Sequence, residues 1–161
     1  MTTATTTAAD TDRRLSPTVL IGGAFALTTL LNIAFHVGEI LFTDRDPNAP
    51  EGAIASIQSV AVVGGIALVL ALAIAIPMSR DPQRAKVGAI VLGALALVTL
   101  PFFWSGAPAT LGAAAAWLGG LARGSHPQTG VARGFGVVGI VIVVLEIVAT
   151  VFGGVVASVG G

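Results

Sequence analysis

Four polar side chains follow one another along an otherwise apolar segment near the start of the chain, and they offer most of its chemistry. They are Thr28, Asn32, His36 and Glu39. Their spacings of four, four and three residues place them on one face of an α-helix. A hydroxyl, an amide, an imidazole and a carboxylate aligned in this way could pass a proton or hold a small cation.

A second carboxylate, Glu146, lies near the centre of the last apolar segment. An ionised carboxylate at mid-bilayer costs at least about 2–3 kcal/mol, so such a group faces protein or water, or carries a proton. Counting residues along the helices places Glu146 level with Asn32. We therefore expect a polar ladder running inwards from one membrane surface. Its members are Glu39, His36, Asn32 and Glu146, with Thr28 on the same face and Gln58 of the second segment near the level of His36.

Each of these groups also has a purely structural explanation. A protonated Glu146 would hydrogen-bond to Asn32 or Thr28 and serve only to pack the helices. His36 would be a neutral side chain paired with Glu39 one turn away. The sequence leaves both alternatives open.

The composition indicates a membrane protein. Of the 161 residues, 55% are hydrophobic and 10% are charged, whereas soluble domains carry about 25% charged residues. Mean hydropathy is +0.94. Eight basic residues balance eight acidic ones, so nothing indicates a nucleic-acid partner. The absence of cysteine excludes disulfides, thiolate metal sites and iron–sulfur clusters.

No catalytic motif stands out. Residues 134–139 spell G-x-G-x-x-G, but the strand and βαβ unit that a dinucleotide site requires do not fit this sequence. His36, Glu39 and Glu146 make up a fragment of a metal site, whereas two-metal sites in helical bundles need two Glu-x-x-His motifs. We therefore expect no metal, no cofactor and no enzymatic activity.

Five helices are predicted to position these groups in a single transmembrane domain of residues 16–161. They cover residues 17–42, 53–78, 85–103, 107–121 and 131–158. Ser16 and Pro17 are typical of a helix start. Residues 85–123 are divided between two helices, because a single one would reach about 58 Å, nearly twice the hydrocarbon thickness. The fourth helix is short and rich in alanine, and we expect it to be re-entrant or shielded by its neighbours.

The basic residues favour five spans over four, with the N-terminus in the cytoplasm. Five spans put seven of the eight basic residues inside and only Arg45 outside. The seven are Arg13, Arg14, Arg80, Arg84, Lys86, Arg123 and Arg133. Four spans would leave five inside and three outside. We expect a multi-pass protein of the plasma membrane, with residues 1–15 forming a disordered cytoplasmic tail.

The last helix carries small residues on the face of Glu146, namely Gly139, Ala149, Gly153 and Ala157. Small residues let another backbone approach closely, so this stripe is predicted to pack against the first helix or a second copy of the chain. Seven arginines against one lysine, among many Ala, Gly and Val residues, suggest a GC-rich bacterial genome.

Three functions are compatible with these features, and all of them have the lipid bilayer as a partner. The leading hypothesis is a small transport or proton-conducting protein in which Glu146 is the protonatable group. The second is a non-catalytic subunit or assembly factor, in a homo-oligomer or a larger membrane complex. The third is a membrane sensor of pH or of a small ligand that uses His36.

Overall fold

The computed structural model describes residues 15–42, 46, 48, 49 and 52–159, with side chains as far as residue 156. Within these ranges every regular element is helical and no strand occurs, so the all-α prediction is confirmed for this part of the chain. The predicted tail lies outside the described residues, except for Leu15.

Five helices follow one another along the described chain. They are α1 (Pro17–Phe42), α2 (Ala53–Met78), α3 (Pro82–Val98), α4 (Ala107–Leu118) and α5 (Gly130–Val159). A 3₁₀ segment, Leu100–Ser105, joins α3 to α4. In the described part, α1, α2 and α5 are long and apolar enough to cross a membrane. The architecture is therefore compatible with a membrane helical bundle.

Helix α3 begins and ends earlier than expected. It begins at Pro82 because the Asp81 side chain accepts hydrogen bonds of 2.9 Å from the N–H groups of Gln83 and Arg84. An aspartate cap followed by proline in the first turn is a strong helix start. It ends at Val98, shortly before Pro101, which has no N–H to continue the hydrogen-bond pattern.

Helix α1 contains one irregular turn. Ser16 caps its start by accepting a 3.2 Å hydrogen bond from the Val19 N–H, as the sequence predicts. Ala26–Leu30 then forms a π-helical turn, which carries the buried residues Thr28 and Thr29. Single π turns are frequent at functional sites. Because this turn is wider than an α-helical turn, the regular spacing assumed for the polar face is disturbed just before Asn32.

Helix α4 forms the centre of the bundle. All twelve of its residues are buried, and it packs against α1, α2, α3 and α5. At about 1.5 Å per residue it reaches roughly 18 Å, well short of a hydrocarbon core of about 30 Å. The longer helices therefore shield α4, which is one of the two alternatives that its sequence left open.

Small residues allow this close packing. The buried ones include Gly64, Ala67, Ala71 and Ala75 on α2, and Ala132, Gly136 and Gly139 on α5. Helices α4 and α5 approach each other closely, since a Cβ atom added to Gly112 would lie 2.7 Å from the Gly139 carbonyl oxygen. In membrane helices such contacts contribute van der Waals packing that bulkier side chains would prevent.

The helix midpoints define a middle level of the bundle. Thr29, Gly64 and Glu146 lie close to the midpoints of α1, α2 and α5, and α4 begins at this level. From there α4 runs to an end of the bundle formed by residues 79–86 and 119–133, which we call the basic end. Leu118, the last residue of α4, lies beside Gly88 and Met78 there. Towards the opposite end, none of the residues of Leu31–Phe42 or 147–156 is buried.

Candidate functional site

The carboxyl group of Glu146 lies at the middle level, where the side chain is 4% exposed. Its Oε2 accepts a 2.8 Å hydrogen bond from the Ala109 N–H in the first turn of α4. First-turn N–H groups have no partner within their own helix, and they carry a partial positive charge. Gly106, at the N-cap position, supplies no side-chain cap. Glu146 therefore caps α4 from another helix.

The second carboxyl oxygen of Glu146, Oε1, is buried and has no hydrogen-bond partner among the described residues. An unsatisfied buried polar atom costs about 1–3 kcal/mol. A carboxylate oxygen can accept hydrogen bonds, take up a proton or coordinate a cation. The chemistry of this oxygen therefore suits a proton or a small cation.

Two glycines allow α1, α2 and the start of α4 to meet. Gly106 has a φ of +77°, in the left-handed region that favours glycine. A Cβ atom there would overlap Thr29 Oγ1 and lie 2.6 Å from Thr28 Oγ1. A Cβ atom at Gly64 would lie 2.7 Å from the Ser105 carbonyl oxygen. Glycine is therefore needed at both positions for this approach.

Four hydroxyl groups surround the break before α4, and each donates to a backbone carbonyl oxygen. The acceptors are Ala24 for Thr28 (2.9 Å), Ser105 for Thr29 (2.8 Å), Phe102 for Ser105 (2.6 Å) and Gly106 for Thr110 (2.9 Å). Irregular backbone at membrane depth is tolerated only when protein or water satisfies its polar groups. These hydroxyls satisfy part of that need, and their oxygens keep lone pairs that can accept.

Asn32 does not pair with Glu146, contrary to the expected ladder. Its Nδ2 donates a 2.6 Å hydrogen bond to the Trp104 carbonyl oxygen, while Glu146 accepts from Ala109. Both side chains thus bind backbone groups on either side of the break. The physical reason is that broken helices expose N–H and C=O groups that need partners in apolar surroundings.

The other predicted polar residues lie towards the opposite end. His36 Nδ1 is 3.5 Å from Glu39 Oε2, and the two side chains are 29% and 33% exposed. They form the expected pair, one turn apart on α1. Gln58 lies exposed on α2, and its position near the level of His36 stays a prediction.

The buried face of α5 departs from the predicted stripe beyond Glu146. It comprises Ala132, Gly136, Gly139, Ile142 and Glu146. Gly139 contacts Gly112 of α4, whereas the prediction gave α1 or a second copy as its partner. Ala149 and Gly153 are exposed. Gly154 instead lies close to α1. A Cβ atom at this position would overlap the Phe35 ring. The side chain of Ala157 lies outside the described residues.

Sequence reasoning missed several residues of the site, namely Thr29, Gly64, Ser105, Gly106, Ala109 and Thr110. One signal was present. Gly106 and Pro108 stand within a long apolar run, and proline in the first turn after glycine marks a helix start. In an apolar run this pattern predicts a discontinuous helix. The contact between Ala109 and Glu146 has no signal in the sequence, because its donor is a backbone N–H group that every residue except proline carries.

Among the described residues, no group of three or more His, Asp or Glu side chains could hold a metal ion. No protein-family model, no curated protein and no solved structure matches this chain.

Proposed function

We propose that this chain is a multi-pass protein of the plasma membrane that moves protons or small cations through Glu146. The observation that carries the proposal is the Oε1 atom of Glu146, a buried acceptor without a partner among the described residues, at the middle of the bundle. Ionisable groups within membrane helices are rare and mark ion pathways or proton relays. The proposal assigns no catalytic chemistry to the chain.

The proposed topology has five spans, with the N-terminus in the cytoplasm, and four spans remain the alternative. Helices α1, α2, α3 and α5 account for four of the five. The fifth is the broken segment of Leu100–Ser105 and α4, of which α4 covers roughly 18 Å between the middle level and the basic end.

The broken span also supports the assignment of the site. In many transporters, substrate and coupling-ion sites lie near the bilayer midplane, where discontinuous helices end. Here Gly106 makes such a break, Glu146 lies at it, and the π turn Ala26–Leu30 packs beside it. Towards the opposite end, the His36–Glu39 pair would provide an approach for protons.

Flux through purified protein in proteoliposomes tests this function. With an imposed pH gradient, wild-type protein is expected to dissipate the gradient, as followed with a pH-sensitive dye. Glu146→Gln keeps an acceptor for Ala109 but cannot ionise, so flux should fall by about tenfold or more. Asp46→Asn, which also neutralises a carboxylate but at an exposed position between α1 and α2, should retain wild-type flux.

Two results would contradict the transport proposal. One is wild-type protein that gives no flux of protons or small monovalent cations above that of empty vesicles. The other is Glu146→Gln protein that is folded and conducts as well as the wild type. Circular dichroism and gel filtration in detergent establish folding for each variant before flux is compared.

A second candidate function is that of a non-catalytic subunit or assembly factor. It is favoured by the exposed C-terminal part of α5. None of the residues 147–156 is buried, and Ala149 and Gly153 are exposed beside Phe152. Such a surface would suit a neighbouring helix. This function predicts a stable oligomer or partner in mild detergent, and Gly153→Leu should disrupt it. Purification as a monodisperse monomer without partners would contradict it.

A further inference from the structure

Five cationic side chains gather at the basic end. They are Arg80, Arg84, Lys86, Arg123 and Arg133, and all are exposed. Among the described residues, the only carboxylate at this end is Asp81, which is engaged as the cap of α3. Five positive charges and one negative charge give the described residues of this end a net charge of +4.

The fold brings these cations together from three parts of the chain. Gln128 Nε2 donates a 3.0 Å hydrogen bond to the Pro82 carbonyl oxygen, which ties the loop after α4 to the start of α3. Gly119 lies against Gly136 and Ala132 in the first turns of α5. Arg84, Arg123 and Arg133 therefore come from elements in contact. No ion pair joins any of the five cations to a carboxylate of the described residues.

The position of the basic end relative to the apolar surface indicates its partner. Ile76, Val87 and Val131 are exposed close to these cations, at 39%, 53% and 63%. On helices of membrane length, the boundary between an apolar surface and a ring of cations coincides with the level of the lipid phosphates. Arg and Lys side chains extend their apolar stems along such a boundary while the charge reaches the headgroups. A nucleic acid or a soluble protein would leave the apolar side chains next to these cations uncovered.

We propose that the basic end binds the phosphate groups of anionic phospholipids, with Arg84, Arg123 and Arg133 as its central contacts. Guanidinium groups bind phosphate oxygens through paired, charge-assisted hydrogen bonds. The bound lipid would link the start of α3, the loop after α4 and the start of α5. This proposal does not depend on transport through Glu146.

Thermal unfolding of the full chain in a neutral detergent tests the proposal, since a ligand that binds the folded state raises Tm. Phosphatidylglycerol is expected to raise Tm by about 5 °C or more, and phosphatidylcholine to leave it unchanged. The variant with Arg84→Gln, Arg123→Gln and Arg133→Gln should lose this shift. The matched variant with lysine at the same three positions should keep most of it, because the charge is retained.

Several outcomes would overturn the proposal. An equal shift with phosphatidylcholine would mean that the headgroup charge is irrelevant. An equal shift with inorganic phosphate alone would indicate a free anion, and one with a short RNA would indicate a nucleic acid. The salt dependence of the Tm shift provides a further test that uses the wild-type protein alone. The shift should shrink as sodium chloride rises from about 0.05 M to about 1 M, and a shift independent of salt would also overturn the proposal.

Discussion

Glu146 connects two parts of the chain that lie 37 residues apart in sequence, by accepting the Ala109 N–H. The donor has no other acceptor within α4, because first-turn N–H groups lie ahead of the intrahelical pattern. Pro108 has no N–H, and the Ala107 N–H donates to Ser105 Oγ at 3.2 Å. Each free donor of this first turn therefore has its own assigned acceptor, and Glu146 cannot be exchanged for an apolar residue without leaving one unpaired.

Substitutions at Glu146 should therefore separate capping from ionisation. Glu146→Ala leaves the buried Ala109 N–H without an acceptor, which should lower the free energy of unfolding by about 1–3 kcal/mol. Glu146→Gln keeps an acceptor and should stay within about 1 kcal/mol of the wild type. Denaturant unfolding in detergent, followed by circular dichroism, measures both. Equal stability of the alanine and glutamine variants would contradict the capping role.

The burial of Glu146 was predictable from the sequence, but its partner was not. A carboxylate within an apolar run is conspicuous by residue type alone. Counting residues along straight helices then suggested Asn32 as its neighbour. The structure instead gives Asn32 the Trp104 carbonyl and Glu146 the Ala109 N–H. Both partners are backbone groups freed by a break, and side-chain patterns contain no information about them.

At the scale of the elements, the site exists because two irregularities meet. The π turn of α1 presents Thr29 to the Ser105 carbonyl oxygen at 2.8 Å, and the left-handed Gly106 lets α4 begin beside it. Helix α2 closes the third side through Gly64. None of these contacts tolerates much extra volume, because backbone atoms cannot move aside as side chains do.

Neighbouring glycines on α2 provide a matched test of this packing. Gly64→Ala would bring a Cβ atom 2.7 Å from the Ser105 carbonyl oxygen, while nothing lies within 4 Å of a Cβ atom at Gly65. We expect Gly64→Ala to destabilise the protein by about 1–3 kcal/mol. Gly65→Ala should stabilise it by roughly 0.5–1 kcal/mol through helix propensity. Thermal unfolding of both variants measures the difference, and similar Tm values would contradict the close approach of Gly64 to Ser105.

The observed ends of the helices show which boundaries can be predicted from sequence patterns and which cannot. Long apolar runs between polar loops predicted α1 and α2 with the observed ends. The early start of α3 at Pro82 follows from Asp81, a helix cap that lies several residues before the apolar run. The π turn has no comparable signal in Ala26–Leu30. It packs against Ser105 and Gly106, which lie far away in the sequence.

Over the whole molecule, packing is uneven between the two ends. The small residues of α2 and α5 enclose α4 between the middle level and the basic end, while beyond the middle level the long helices bury few residues. The basic end is thus the compact part of the bundle. The end that carries His36 and Glu39 is more open, which would suit access of protons from that side.

Cysteine labelling tests the topology of the whole chain. The protein has no cysteine, so Asn48→Cys and Ser125→Cys each introduce a unique thiol in a loop. Five spans predict that an impermeant maleimide labels the two positions from opposite sides of the membrane. Four spans predict labelling from the same side. Detergent-solubilised protein, in which both thiols should react, provides the control.

The burial of α4 also has a consequence for how the protein is made. As the chain is synthesised, α4 emerges before α5, although its partners Gly139 and Glu146 belong to α5. A twelve-residue helix is too short to cross the bilayer by itself, so lipid cannot hold it in its final place. The observed packing of α4 therefore cannot be complete until α5, with Glu146, has been synthesised. Helix α5, which is synthesised after α4, is therefore the one that completes the surroundings of α4.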